Sequence, residues 1–84
     1  MKIIFLDHAW EDYLYWQNTD KGMLKKVNSL IKEIEKLPFE GVGKPEPLKH
    51  NLTGLWSRRI TLEHRLVYKI DEGAIVIFQC RYHY

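Results

Sequence analysis

Residues 56–84 read WSRRITLEHRLVYKIDEGAIVIFQCRYHY, and the period of this stretch decides the fold. Apolar and polar residues alternate along Trp56–Thr61, Arg65–Ile70 and Ile75–Tyr82, which predicts three strands. Asp71-Glu72-Gly73 supplies a turn between the last two, and Thr53-Gly54 one before the first. Parity assigns the faces. Leu66, Tyr68 and Ile70, then Val76, Phe78, Cys80 and Tyr82, are the more apolar sets, and Ile60 agrees with them. Arg59, Arg65, Lys69, Arg81 and His83 fall on the opposite face. Arg58 has the wrong parity for that group and reads as a sheet-edge or helix-contact residue. A one-residue bulge would reverse part of this assignment.

Upstream the period changes. Met23, Leu24, Val27, Leu30, Ile31, Ile34 and Leu37 recur at helical spacing with lysines and glutamates between them, and Asp20 is placed to cap the helix. Pro38 ends it. Trp10, Tyr13, Leu14 and Gln17 predict one face of a first helix, capped by Asp7. Lys2–Leu6 is a short β-rich run. Phe39–Pro47 has two Gly, two Pro and no period, so it reads as a loop, with room for one more short strand near Leu48–Asn51. The expected order is β-α-α-β-β-β, an α+β domain spanning residues 1–84. Its antiparallel sheet would carry the two N-terminal helices on one face.

Composition narrows the class. Eighty-four residues bury only about 60–65% of the unfolded surface, so stability should be modest. An apolar fraction of 45% with 11 aromatic residues argues for a packed core rather than disorder. One cysteine, Cys80, allows no internal disulfide and fits a reducing compartment. The apolar start stops at Asp7, too soon for a signal peptide, and nothing approaches the ~20 apolar residues of a membrane span. A soluble cytoplasmic protein is expected. Residues 1–43 carry six Lys against seven Asp/Glu, a net of −1, whereas residues 44–84 carry seven Lys/Arg against four, a net of +3. All four arginines lie in the second part. Guanidinium forks match phosphate oxygens, so the asymmetry points to an anionic partner, although a solvated basic face would look the same.

The basic segment also has the parts for phosphoryl-transfer chemistry on RNA. Cleavage by the 2′-hydroxyl needs a base, a cation for the phosphate and an acid for the 5′-oxygen. Glu46, held between Pro45 and Pro47, is a candidate base, though a solvated loop glutamate is the simpler reading. His83 is a candidate acid, against the alternative of a frayed chain end. Arg65 is the candidate phosphate clamp, with Arg59 and Lys49 as outer contacts, or all three are a polar sheet face. Tyr84 could stack on a base or shape the site. His8, His50, His64 and His83 lack metal-ligand spacing, so no metal and no cofactor are expected. Cys80, on the predicted core face, is a poor nucleophile candidate. Trp10 and Trp16 read as packing residues, while Trp56 fits either the core or a protein contact.

The runs Lys44–Leu52, Gly54, Trp56–Ile60, Glu63–Tyr68 and Cys80-Arg81-Tyr82-His83-Tyr84 closely resemble the YoeB toxins of the RelE/ParE superfamily. Asp12–Trp16 and Pro38–Gly41 look like the same family, so the resemblance covers essentially the whole chain. It implies a RelE-like fold and a toxin of a type II toxin–antitoxin system. It further implies a ribosome-dependent endoribonuclease, or mRNA interferase, that cuts messenger RNA in the ribosomal A site and inhibits translation. On that pattern Glu46 is the general base, Arg65 the transition-state clamp and His83 the general acid. Tyr84 shapes the site, and Lys49 and Arg59 bind phosphate. The implied partners are a YefM-like antitoxin, the ribosome and its messenger RNA; self-association stays open. Two competing readings remain at this point: a ParE-like gyrase inhibitor, and a non-catalytic ribosome- or RNA-binding module.

Overall fold

The computed structural model describes residues 1–84. The chain runs β1 (Lys2–Phe5), α1 (Asp7–Thr19), α2 (Lys21–Lys36), β2 (Glu46–Pro47), a 3₁₀ turn (His50–Leu52), β3 (Trp56–Arg59), β4 (Arg65–Asp71) and β5 (Ala74–Gln79). The five strands form one sheet in the order β1-β5-β4-β3-β2. The expected α+β class and element order hold, with two refinements. The extra strand is Glu46–Pro47, slightly earlier than expected. The sheet is mixed rather than antiparallel, because β1 runs parallel to β5 with Lys2 opposite Ala74 and Phe5 opposite Ile77. A parallel pair requires a long crossover, and the α1–α2 hairpin starts the one that joins these strands.

Local chemistry explains the breaks. The Asp20 carboxylate accepts the Met23 N–H at 3.1 Å and so caps α2. Asp7 is the first helical residue of α1, and the cap position belongs to Leu6, which offers no side-chain bond. A carboxylate in the first turn still favours the helix through its dipole. Leu37, before Pro38, is extended and ends α2. Between β4 and β5, Glu72 and Gly73 both take positive φ, at 48° and 76°. That is the geometry of a two-residue hairpin loop matched to strand twist.

Both helices cover one face of the sheet. Val27, Leu30, Ile31 and Ile34 of α2 meet Leu66 and Tyr68 of β4 and Ile75 and Ile77 of β5 in one buried cluster. In β5 the predicted parity is reversed, since Ile75 and Ile77 face the helices and Val76 and Phe78 do not. The cause is a bulge. Tyr68 pairs with Ile77 but Val67 pairs with Gln79, leaving Phe78 without a partner. After the extra residue Cys80 returns to the core, as expected, whereas Tyr82 is exposed. Helix α1 differs too. Its buried residues are Ala9, Asp12 and Trp16, while Trp10 and Gln17 face solvent. The polar Asp12 hid this stripe in the sequence.

Arg58 is fully buried and ties the α2–β2 loop to the sheet. Its Nε donates to Tyr68 Oη at 3.1 Å, Nη1 to Val42 O at 3.0 Å, and Nη2 to Leu37 O and to Glu40 O. Tyr68 Oη in turn donates to Pro38 O at 2.7 Å. The guanidinium thus answers carbonyls that no strand or helix pairs, in a place where an unpaired polar group would be costly.

Candidate active site

Strand register builds the floor of the site. Glu46 lies opposite Ser57, Ser57 opposite Val67 and Val67 opposite Gln79, so these four share one face. Two residues along β3 and β4, Arg59 lies directly opposite Arg65 on that same face. This is the side away from the helices. Like charges facing each other across a strand pair are destabilising. Neither arginine, nor Lys49, belongs to any ion pair of the fold.

Residues 80–84 then fold back across the sheet, and four side chains fix their path. The buried Asp12 carboxylate accepts the Cys80 N–H at 3.0 Å, and Trp16 Nε1 donates to Cys80 O at 2.8 Å. Gln79 Nε2 donates to the carbonyls of Arg81 and Tyr82. The Tyr82 N–H is held by His64 Nδ1 at 2.7 Å, and Tyr82 O accepts the Arg65 N–H at 3.0 Å. Burial raises the Asp12 carboxyl above its ordinary range, against the Cys80 N–H and the nearby His8, which favour the charged form. Burial also pushes the Cys80 thiol up to about 12. That thiol is inert at neutral pH, in line with its predicted core position.

At the end of this path Tyr84 Oη donates to Glu46 Oε1 at 2.8 Å. The exposed His83 packs its ring against Tyr84, with centroids 4.5 Å apart. Glu46, Lys49 and Tyr84 line one open cleft of about 410 Å³ that continues to Leu52. Arg65 is buried, and its Nη1 donates to the carbonyls of Thr61, Leu62 and His64. Nε and Nη2 take no part in those bonds. The loop therefore orients the guanidinium and leaves donors for a ligand.

The fold thus joins Glu46, Lys49 and Tyr84 in one cleft, places His83 against Tyr84, and sets the Arg59–Arg65 pair on the same sheet face as Glu46. Arg81 departs from expectation. Instead of joining the open face, its guanidinium stacks on the Tyr15 ring of α1 at 3.5 Å and bonds Tyr82 Oη. Arg81 lies beyond the end of β5, in the segment that folds back across the sheet, where strand parity no longer sets its direction. Trp56 packs against Phe39, whose ring centroid is 4.8 Å away. Asp12, His64 and Gln79, which hold the last residues in place, escaped the sequence reading. A lone acid in step with Ala9 and Trp16 was the one available signal, for Asp12.

This arrangement of two helices on a five-stranded mixed sheet defines a class of small α+β fold. YafQ of Escherichia coli has it at 20% identity, with a TM-score of 0.74 over 98% of this chain and 92% of that one. The model of the YoeB-like toxins of bacterial type II toxin–antitoxin systems matches residues 5–84, and the chain belongs to that family. It is 62% identical to Toxin YoeB of Escherichia coli (strain K12) over the full length of both chains. A YoeB/ParE toxin from Agrobacterium tumefaciens superposes with a TM-score of 0.98 at 48% identity, covering both chains completely. YoeB of Staphylococcus aureus, solved as a dimer and in a heterotetrameric YoeB–YefM toxin–antitoxin complex, matches with a TM-score of 0.93 at 54% identity, over 100% of this chain and 98% of that one. The protein is a toxin of this type.

Proposed function

We propose that the toxin is a ribosome-dependent endoribonuclease that cleaves messenger RNA in the A site. The observation that carries this reading is that Tyr84 bonds Glu46 and packs against His83, on the sheet face that carries the opposed Arg59–Arg65 pair. The Glu46 carboxylate bonds Tyr84 in the cleft, the His83 imidazole packs on that same Tyr84, and two uncompensated guanidinium groups on the same face favour a polyanion. In this reading the Glu46 carboxylate takes the proton of the 2′-hydroxyl, whose oxygen attacks the adjacent phosphorus. Arg65, through Nε and Nη2, stabilises charge on the non-bridging oxygens. As the P–O5′ bond breaks, His83 gives its proton to the leaving oxygen. The products are a 2′,3′-cyclic phosphate, which water can open to a 3′-phosphate, and a 5′-hydroxyl. Lys49 and Arg59 bind flanking phosphates, and the side chains supply every proton and charge that the step needs.

The cleft is open and shallow for a single-stranded substrate, so alignment would come from the ribosome. Losing that alignment could cost several kcal/mol, and naked RNA should be cut poorly. The antitoxin would be a YefM-like chain whose acidic segment folds onto the basic face. A toxin dimer is a further assembly suggested by the Staphylococcus aureus relative. No helix is long and apolar enough to cross a membrane, and a target on the ribosome would place the activity in the cytoplasm.

The test is primer extension on a defined messenger RNA with purified ribosomes, beside His83→Ala. A new 3′ end in the A-site codon, absent from the variant, is expected. No cleavage by folded, antitoxin-free toxin would overturn the reading and make gyrase the next target.

A further inference from the structure

We propose that His64 is a positioning residue for the His83–Tyr84 pair, acting through the lone pair on Nδ1. The inference rests on the ribonuclease reading for its kinetic consequence but on geometry for the latch itself. Tyr82 sits at φ 64°, a left-handed backbone that a residue other than glycine adopts only at an energetic cost. Something must hold it there. The Tyr82 N–H reaches His64 Nδ1 at 2.7 Å, while its carbonyl takes the Arg65 N–H at 3.0 Å. Both backbone groups of the strained residue are thus bound by two consecutive residues, one of them the candidate phosphate clamp. The turn at Tyr82 carries the chain on to Tyr84, which meets Glu46 in the cleft.

The imidazole is itself fixed. It stands edge-on to Trp16, with centroids 4.9 Å apart and planes at 80°, and the backbone N–H of His64 donates to Thr61 Oγ1 at 3.2 Å. To accept from an N–H, Nδ1 must be unprotonated. A chain of contacts therefore runs from Trp16 through His64 to the backbone of Tyr82 and on to the reacting pair. Side chains that act this way are felt as misplacement of the groups they orient.

Asparagine carries its Oδ1 where histidine carries Nδ1, so His64→Asn keeps the acceptor, whereas His64→Leu keeps the packing on Trp16 and loses it. Two measurements are made on the wild type and both variants. Hydrogen exchange of the Tyr82 amide should be at least about tenfold faster in His64→Leu than in His64→Asn, with the amides of Val67 and Ile77 unchanged. Ribosome-dependent cleavage should lose about 100-fold in kcat in His64→Leu, with KM little changed and substantial rescue in His64→Asn. Equal exchange and equal kcat in the two variants would overturn the proposal. A wild type that cleaves nothing, with the exchange difference between the two variants still present, would sink the ribonuclease reading and leave the latch standing.

Discussion

Tyr84 Oη and Glu46 Oε1, 38 positions apart in sequence, share a hydrogen bond of 2.8 Å. A carboxylate bonded in this way has one lone pair occupied, and under the proposed mechanism Tyr84 must make room there for the 2′-hydroxyl. Tyr84 therefore both orients Glu46 and covers it. Glu46→Gln should lower ribosome-dependent cleavage by about 100-fold or more, as expected for loss of a general base. Tyr84→Phe should lower it by about tenfold and leave stability within about 1 kcal/mol, since the bond is exposed. Single-turnover cleavage and urea denaturation of both variants check this, and equal losses in the two would contradict the division of roles.

Asp12 makes stability depend on pH. Its native pKa is raised, mainly by burial, above the ordinary 3.8. Over the interval between the two values the native state holds a proton that the unfolded chain has released. The contribution of this group is thus fully present below about pH 3.8 and is lost as pH rises through the native value. Asp12→Asn keeps an oxygen for the Cys80 N–H and cannot ionise. Its stability relative to the wild type should therefore rise between about pH 3.5 and pH 7. Urea midpoints at the two pH values decide it, and a constant difference would refute the sign.

Arg58→Leu should be among the most damaging single changes. It leaves the carbonyls of Leu37, Glu40 and Val42 and the Tyr68 hydroxyl short of partners inside the fold. A loss of about 3 kcal/mol or more is expected, a large share of the stability of so small a domain. A shift of the urea midpoint worth less than about 1 kcal/mol would mean that water replaces the guanidinium.

Gly43 is the tightest point of the loop that Arg58 holds. It sits at φ 88°, and an added Cβ would lie 3.1 Å from a Leu30 methyl and 3.2 Å from Arg59 O. At Gly54 the backbone is also left-handed, but the space is empty. Gly43→Ala should therefore cost about 2–4 kcal/mol and Gly54→Ala about 1–2, the difference being crowding rather than φ. Thermal melts of the two variants test the order.

The helical stripe of α2 and the alternation of β3 to β5 were legible because each is a local period written in apolar residues. Long-range choices were not. Nothing in Lys2–Phe5 says that its neighbour is β5 or that the pair is parallel, and the single residue Phe78 turned over the parity of β5. The site divides the same way. Glu46, Arg65, His83 and their companions could be nominated from residue type and parity, and the Tyr84–Glu46 contact only after folding. Asp12, His64 and Arg58 stayed hidden because their partners are backbone groups 68, 18 and 16–21 positions away. A backbone partner leaves no mark in side-chain chemistry.

The pairing of Lys2 with Ala74 has a consequence for a chain in the course of synthesis. The first strand must wait for the fifth, and the closure is among the longest the chain makes. Both helices emerge long before there is a central strand to cover. The pieces that complete the cleft come later still, since the turn at Tyr82 needs Cys80 to dock on Asp12 and Trp16. Until residues 80–84 dock, the chain carries Glu46 and Arg65 but lacks Tyr84 on Glu46 and His83 beside it. The candidate site is thus the last part of the fold to be completed during synthesis.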